Sequence, residues 1–336
     1  MSTMRAIGVK GGKGPATALF VDEIAKPVPE AGQALIKVKA FGLNRMDLLQ
    51  REGLYPLPPQ APATLGVEFS GVVEGLEVGG KACDFKIGDE VFGLAYGGAY
   101  AEYIVVSTKM LVHKPAHLSW EVAAGIPETW ITATQALFLI GDFQAGQSVL
   151  WHAGASSVSI SGIQLAKAEG AKAIYATAGS QEKIDFLEKE LGVTKAFNYR
   201  TDDWAAEIQK VTGGTGVDLT VDFIGATYFQ GNLDVAARDG RVVLLGLMGG
   251  GKLPEGVNIA PLLFKRVRVE GSTLRSRDLP YQQKLRDSLV EHALPKFEDG
   301  TFKVFVEKVM PFEKIAEAHQ LLESNTTKGK IICVFE

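Results

Sequence analysis

Apolar and polar positions change their rhythm along the chain. Ala34-Leu35-Ile36-Lys37-Val38-Lys39-Ala40 sets apolar residues against lysines in the period-two pattern of a half-buried strand. Residues 67–74, 89–92 and 100–106 are further predicted strands, set apart by Gly, Pro and Asp turns. Tyr55-Pro56-Leu57-Pro58-Pro59-Gln60-Ala61-Pro62 carries too many prolines for helix or central strand and is an extended loop. Around Trp120 the pattern turns helical, through Ala123, Ala124, Ile131, Ala136 and Leu137. From there to about residue 275, apolar runs at 148–152, 173–177, 196–198, 217–223 and 241–246 alternate with helical stretches at 182–191 and 204–211. That alternation predicts a parallel sheet covered by helices on both faces. A last strand over 267–272, at the sheet edge, precedes a helical stretch at 280–294, and strands at 303–309 and 330–335 return towards the first domain. The predicted fold class is α/β, with a β-rich domain over 1–125 and 296–336 and a doubly wound parallel domain over 126–295.

The most informative segment is Val149-Leu150-Trp151-His152-Ala153-Gly154-Ala155-Ser156-Ser157-Val158-Ser159. An apolar strand ends in a turn of small residues and a helix follows at once. That arrangement offers backbone N–H groups and a helix N-terminus to a pyrophosphate, so Ala155, Ser156, Ser157 and Val158 are candidate cofactor contacts. The dinucleotide fingerprint has glycine where Ser157 and Ser159 stand; serine is small and its hydroxyl can donate to a phosphate. The next strand ends in Ala178-Gly179-Ser180-Gln181-Glu182-Lys183 rather than in Asp or Glu. An acidic residue there would hold a bare ribose 2′-hydroxyl and repel a 2′-phosphate. Ser180 and Lys183 offer a hydroxyl and a cation instead, and the chain reads as an NADP(H) binder.

Composition narrows the field. The 336 residues suit two domains, and 46% hydrophobic with 22% charged residues describes an ordinary globular protein. A net charge of −4 argues against a dedicated nucleic-acid binder. No uncharged run is long enough to span a bilayer, and Met1-Ser2-Thr3-Met4-Arg5 lacks the apolar core of a secretory signal. Two distant cysteines, Cys83 and Cys333, form neither a disulfide framework nor a zinc cluster, and a reduced cytoplasmic setting is expected. The histidines show no metal spacing; His152, at the end of the first strand of the parallel sheet, suits packing better than catalysis.

Longer strings carry a resemblance. Leu43-Asn44-Arg45-Met46-Asp47, Gly53-Leu54-Tyr55-Pro56, Gly66-Val67-Glu68-Phe69-Ser70-Gly71 and Gly88-Asp89-Glu90-Val91 resemble the medium-chain dehydrogenase/reductase superfamily, and within it the quinone oxidoreductases. Ile126-Pro127-Glu128, Phe197-Asn198-Tyr199, the run from Gly246 to Gly251, Leu263-Phe264-Lys265-Arg266 and Leu274-Arg275-Ser276-Arg277-Asp278 are similar to its p53-inducible-type branch. The resemblance implies a GroES-like substrate domain, a Rossmann domain, NADPH as cofactor and a homodimer, here through the edge strand at 267–272. Zinc enzymes of the superfamily carry a Cys near the Asn44 position and a His just before the Glu68 position; this chain has neither, nor the four-cysteine lobe, so no zinc is expected.

The same resemblance gives Tyr55 as the tyrosine lining the quinone cleft, where it would stack on a flat ring or donate a proton; a loop aromatic packed on prolines is the alternative. Asn44 matches a residue beside the nicotinamide and its ribose, though Asn also suits a turn, and Thr132 matches a threonine near the nicotinamide. Ser180, Lys183 and Tyr199 match a 2′-phosphate pocket. Lys330 matches a basic residue that approaches the cofactor, with Lys328 close by in sequence. Ile224, Gly225, Leu247, Met248, Gly249 and Phe264 would line the nicotinamide side from strand ends, where doubly wound folds place ligands. The expected activity is NADPH-dependent reduction of a quinone by hydride transfer. The alternatives are an NADPH-dependent enone, alkenal or enoyl reductase, and a non-catalytic NADPH-binding protein of crystallin or RNA-binding type.

Overall fold

A computed structural model describes residues 2–80 and 83–335. The chain packs as two units, one running up to Ile131 and resuming at Arg275, the other comprising Thr132–Leu274. The first unit opens on an antiparallel pair, β1 (Thr3–Val9) and β2 (Leu19–Ala25). Five further strands follow: β3 (Gln33–Gly42), β4 (Glu68–Glu77), β5 (Glu90–Leu94), β6 (Tyr103–Ser107) and β7 (Leu111–His113). β3 is the predicted alternating strand, with Ala34, Ile36 and Val38 buried and Lys37 exposed.

In the second unit the strands are β8 (Ser148–Trp151), β9 (Ala173–Ala178), β10 (Lys195–Asn198), β11 (Val217–Asp222), β12 (Ala236–Leu244) and β13 (Arg268–Gly271). They pair in parallel in the order β10-β9-β8-β11-β12-β13. Counted from the first strand, that is the 3-2-1-4-5-6 order of a dinucleotide-binding sheet, reversing beside β8. The helix Ser157–Ala168 lies over β8, and a Cβ at Gly162 would run into the Trp151 indole. The close helix–strand approach is therefore made at Gly162 rather than at the serines of the turn.

The chain then returns to the first unit through β14 (Val306–Pro311) and β15 (Lys330–Val334), completing a sheet ordered β14-β15-β3-β4-β5-β7 with β6 also on β3. The helical stretch expected to belong to the parallel domain packs here instead. Leu285, Leu289, Ala293 and Phe297 are buried, Phe297 meets the Trp130 ring at 4.7 Å, and Arg286 donates to the Leu111 carbonyl. An amphipathic pattern announces a helix without saying which core it covers. No helix among the described residues is long and apolar enough to cross a membrane.

Candidate active site and cofactor-binding residues

In the parallel unit the turn after β8 is built on hydrogen bonds that start from His152. This side chain is fully buried; its Nε2 lies 2.7 Å from Asn232 Oδ1 and its Nδ1 lies 3.0 Å from Thr177 Oγ1. Asn232 Nδ2 donates to Asp222 Oδ2, and Asp222 accepts the backbone N–H groups of Ile224 and Gly225. One buried chain thus fixes both the first turn and the Ile224-Gly225 loop. Burial lowers the His152 pKa, which keeps the ring neutral. Ser156 caps the helix, its Oγ accepting from Ser159 N. The Ser159 hydroxyl is buried and donates to the His152 carbonyl, so its side chain serves the turn and not a phosphate.

At the end of β9, Ser180 Oγ accepts from Lys183 N and starts the helix Gln181–Asp185. A Cβ at Gly179 would lie 2.6 Å from the Tyr199 hydroxyl, so the bare glycine lets that phenol stand against the turn. The structure therefore brings Gly179, Ser180 and Tyr199 together, with Lys183 one helical turn on. It adds Arg200, whose guanidinium lies 6.0 Å from the Tyr199 ring centre. Arg200 was legible only as the residue after Tyr199. Across the unit, Leu247, Met248 and Phe264 are 60%, 51% and 71% exposed, apolar surface of the kind a ligand covers. Gly225 has φ +82°, and a Cβ there would strike Leu247. The helix N-terminus, the small-residue turn and the hydroxyl-and-cation set at 179–200 fit a dinucleotide. Thr132 lies on the helix Pro127–Thr134 and is 9% exposed.

The other predicted residues lie in the first unit, in a buried polar cluster. Asn44 precedes the helix Arg45–Glu52, and Asp47 Oδ2 accepts its backbone N–H at 2.8 Å. The Asn44 side chain is held at both ends: Nδ2 donates to Glu68 Oε1 at 3.0 Å and Oδ1 accepts from Lys330 Nζ at 2.7 Å. Lys330 also forms an ion pair with Glu68, the two side chains 1% and 0% exposed. Glu68 Oε2 accepts the Glu128 N–H at 2.9 Å. Lys330, expected to approach the cofactor, thus has its ammonium committed to Glu68 and Asn44, a partner set that only the pairing of β15 with β3 and of β3 with β4 reveals. Gly42 makes the room, since a Cβ there would strike both Glu68 and Lys330.

Tyr55 is half-buried beside this cluster. The Arg275 guanidinium, 3% exposed, lies 5.5 Å from its ring centre and donates to Gln50 Oε1 and the Tyr96 carbonyl. Burial raises the Tyr55 pKa and the Glu128 charge adds to it, so the phenol stays protonated at neutral pH. Asp47 is fully buried, accepts from Tyr100 Oη and Gly66 N, and burial lifts its carboxyl to about 6. Burial, with Glu68 adding, lifts Glu128 to about 7. Asp47, Glu68, Glu128 and Arg275 enter the sequence reading only within family strings, with no role of their own; in a strand or helix pattern a charged residue reads as solvated.

Comparison with known proteins matches residues 30–116 to an alcohol dehydrogenase GroES-like domain and 157–291 to a zinc-binding dehydrogenase domain. A quinone oxidoreductase from Lama guanicoe is 30% identical over 99% of this chain and 98% of that protein. A solved quinone oxidoreductase from Pseudomonas syringae pv. Tomato DC3000 is 29% identical with a TM-score of 0.86, over 98% of this chain and 99% of the other. The JamJ enoyl reductase, 27% identical with a TM-score of 0.86, covers both chains fully.

Proposed function

The chain belongs to the medium-chain dehydrogenase/reductase superfamily, whose members bind a nicotinamide cofactor, and we propose that it reduces quinones with NADPH and without a metal. Full-length similarity to quinone oxidoreductases supports the acceptor class. The observation that carries the metal-free reading is the fate of Asn44: where zinc relatives have a thiolate, an amide is clamped between Glu68 and the Lys330 ammonium. A divalent ion there would meet a fixed positive charge and no soft donor.

The reduced nicotinamide supplies the hydride when bound. This chain's residues bind, orient and exclude water. Ser180, Lys183, Tyr199 and Arg200 give a 2′-phosphate two hydroxyls and two cations with no carboxylate at the strand end to repel it, which favours NADPH over NADH. Tyr55, protonated and beside Arg275, presents a flat ring and a donor to a quinone. Val158 and its neighbours at the helix start take the pyrophosphate.

Titration of the pure protein with NADPH and NADH, followed by NADPH oxidation with ortho- and para-quinones, tests the reading. Tight NADPH binding, weaker NADH binding and quinone-dependent turnover are expected. Equal affinities would sink the 2′-phosphate assignment, and NADPH binding without turnover on quinones would sink the quinone reading in favour of an enone reductase or a non-catalytic binder. The likeness to an enoyl reductase favours one second reading, reduction of an enone, in which a proton must reach carbon. Tyr55→Phe separates the two, sparing quinones and slowing enones. The cytoplasmic homodimer follows the same reading: β13 is the outer strand of its sheet, preceded by Leu263 and Phe264 at 74% and 71% exposure, and sedimentation tests the pairing.

A further inference from the structure

We propose that Asp222 is a fixed, buried charge that tunes the cofactor: it favours the oxidised, cationic form of a bound nicotinamide over the reduced, neutral form, and so strengthens the reduced form as a hydride donor. The inference rests on the reductase reading above and deepens it. Asp222 is 0% exposed. Its Oδ1 accepts the Ile224 N–H at 2.6 Å and its Oδ2 accepts from Asn232 Nδ2 at 2.9 Å. The Gly225 N–H is shared between the two oxygens at 3.3 and 3.2 Å. All of these donors are uncharged, so they hold an anion in place without cancelling it.

The polarity of the buried hydrogen-bond chain follows from that charge. A carboxylate only accepts, so Asn232 turns its amide nitrogen towards Asp222 and its oxygen towards His152. His152 Nε2, 2.7 Å away, therefore carries the ring proton, and the bare Nδ1 accepts from the Thr177 hydroxyl at 3.0 Å. The imidazole is 0% exposed and stands edge-on to Trp204 and Tyr228, with both ring centres 4.7 Å away. A neutral ring gives the carboxylate no counter-charge on that side.

Placement makes the charge usable. Asp222 is the last residue of β11, and His152 follows the last residue of β8. These strands are neighbours where the sheet order reverses, and doubly wound folds take their ligands outside the carboxyl ends of the strands at that point. The loop that Asp222 holds is tied in turn to the next one. Met248 N–H donates to the Phe223 carbonyl at 3.0 Å, Gly249 N–H to that of Ile224 at 2.7 Å, and Ala226 N–H to that of Gly250 at 2.9 Å. Ile224, Gly225, Met248 and Gly249 form the nicotinamide side in this reading, and Asp222 lies one hydrogen bond behind it. Hydride donation carries two electrons to the acceptor and leaves the ring with one positive charge. A fixed anion in low-dielectric surroundings stabilises the second state and not the first. No bond to Asp222 forms or breaks, and no proton moves on it.

The experiment measures the ratio of dissociation constants, Kd for NADP⁺ over Kd for NADPH, by fluorescence and calorimetric titration. The two forms share every phosphate and hydroxyl, so any damage to the turns cancels in the ratio. Asp222→Asn keeps the shape and removes the charge; turning the Asn232 amide and moving the His152 proton to Nδ1 retains every bond. This variant should raise the ratio about tenfold, equivalent to about 30 mV in the potential of the bound two-electron couple. Combining it with Asn232→Asp returns a charge to the same hydrogen-bonded pair and should bring the ratio back towards wild type. Nitrogen-15 spectra of the cofactor-free protein should show His152 as the Nε2–H tautomer in wild type and as Nδ1–H in Asp222→Asn. An unmoved ratio in Asp222→Asn, with both forms bound, would overturn the inference and leave the cofactor reading standing. An Nδ1–H tautomer in wild type would also overturn it, and that measurement decides even where Asp222→Asn fails to fold. A wild type that binds neither form would overturn the cofactor reading, and the inference with it.

Discussion

Replacing Lys330 by Met tests the central clamp most directly. The substitution keeps the length of the side chain and removes its charge. It leaves the Glu68 carboxylate at 0% exposure with only Asn44 Nδ2 and the Glu128 N–H as donors, and it leaves Asn44 Oδ1 without its ammonium. Stranding one member of a buried pair costs about 3–5 kcal/mol, a large share of the roughly 5–15 kcal/mol that holds a protein folded. With a urea slope of about 3 kcal/mol per molar, the midpoint should fall by about 1–1.7 M. Adding Glu68→Gln to Lys330→Met removes the stranded charge while keeping an acceptor and should recover about 2 kcal/mol, a coupling energy readable from the double-mutant cycle. Cofactor titration at low temperature, where Lys330→Met is still folded, should give an NADPH affinity close to wild type. A loss below 1 kcal/mol, or a double mutant that adds a second full penalty, would refute the clamp. Intact stability with NADPH binding weakened tenfold would instead restore Lys330 to the cofactor.

Gly162→Ala should lower the thermal midpoint by the equivalent of about 1–3 kcal/mol, because the new methyl meets the Trp151 ring under the first helix of the parallel unit; an unchanged midpoint would mean that this helix can shift freely. Asp47 binds its proton more tightly folded, at about 6, than the ordinary 3.8. Its contribution is therefore present below pH 4 and lost as pH rises through 6, a difference of about 3 kcal/mol. Asp47→Asn should flatten that part of the stability profile in urea titrations at stepped pH, and an unaltered slope would contradict it. Lys183→Ala and Arg200→Ala should each weaken NADPH about tenfold, about 1.4 kcal/mol, and leave NADH unchanged; equal losses for both cofactors would remove them from the 2′-phosphate.

What the sequence made legible follows from where side-chain chemistry is local. The parallel sheet was readable because its strands are apolar runs ending in small-residue turns, whereas the order of the strands about β8 is known only from their pairing. β1 and β2 escaped notice: in β1 the alternation through Met4 and Ala6 breaks at Ile7-Gly8-Val9, and β2 shows its pattern only against a partner ten residues upstream. The cofactor residues were legible for the same local reason, since Gly179, Ser180 and Lys183 share one turn, and Tyr199 comes to them through strand pairing of β9 with β10. The acidic cluster was not. Asp47, Glu68, Glu128, Arg275 and Lys330 are spread over nearly three hundred positions, and each sits in a pattern where a charge means a solvated face. Nothing local distinguishes Glu68 at 0% exposure from Glu77 at the far end of the same strand, which is exposed. The difference is made by β15 laying Lys330 across β3, so that burying the acid becomes tolerable only when the last strand arrives. It follows that the polar centre of this unit is set by the final residues of the chain, and a protein ending before Lys330 would lose Asn44 as well as Glu68.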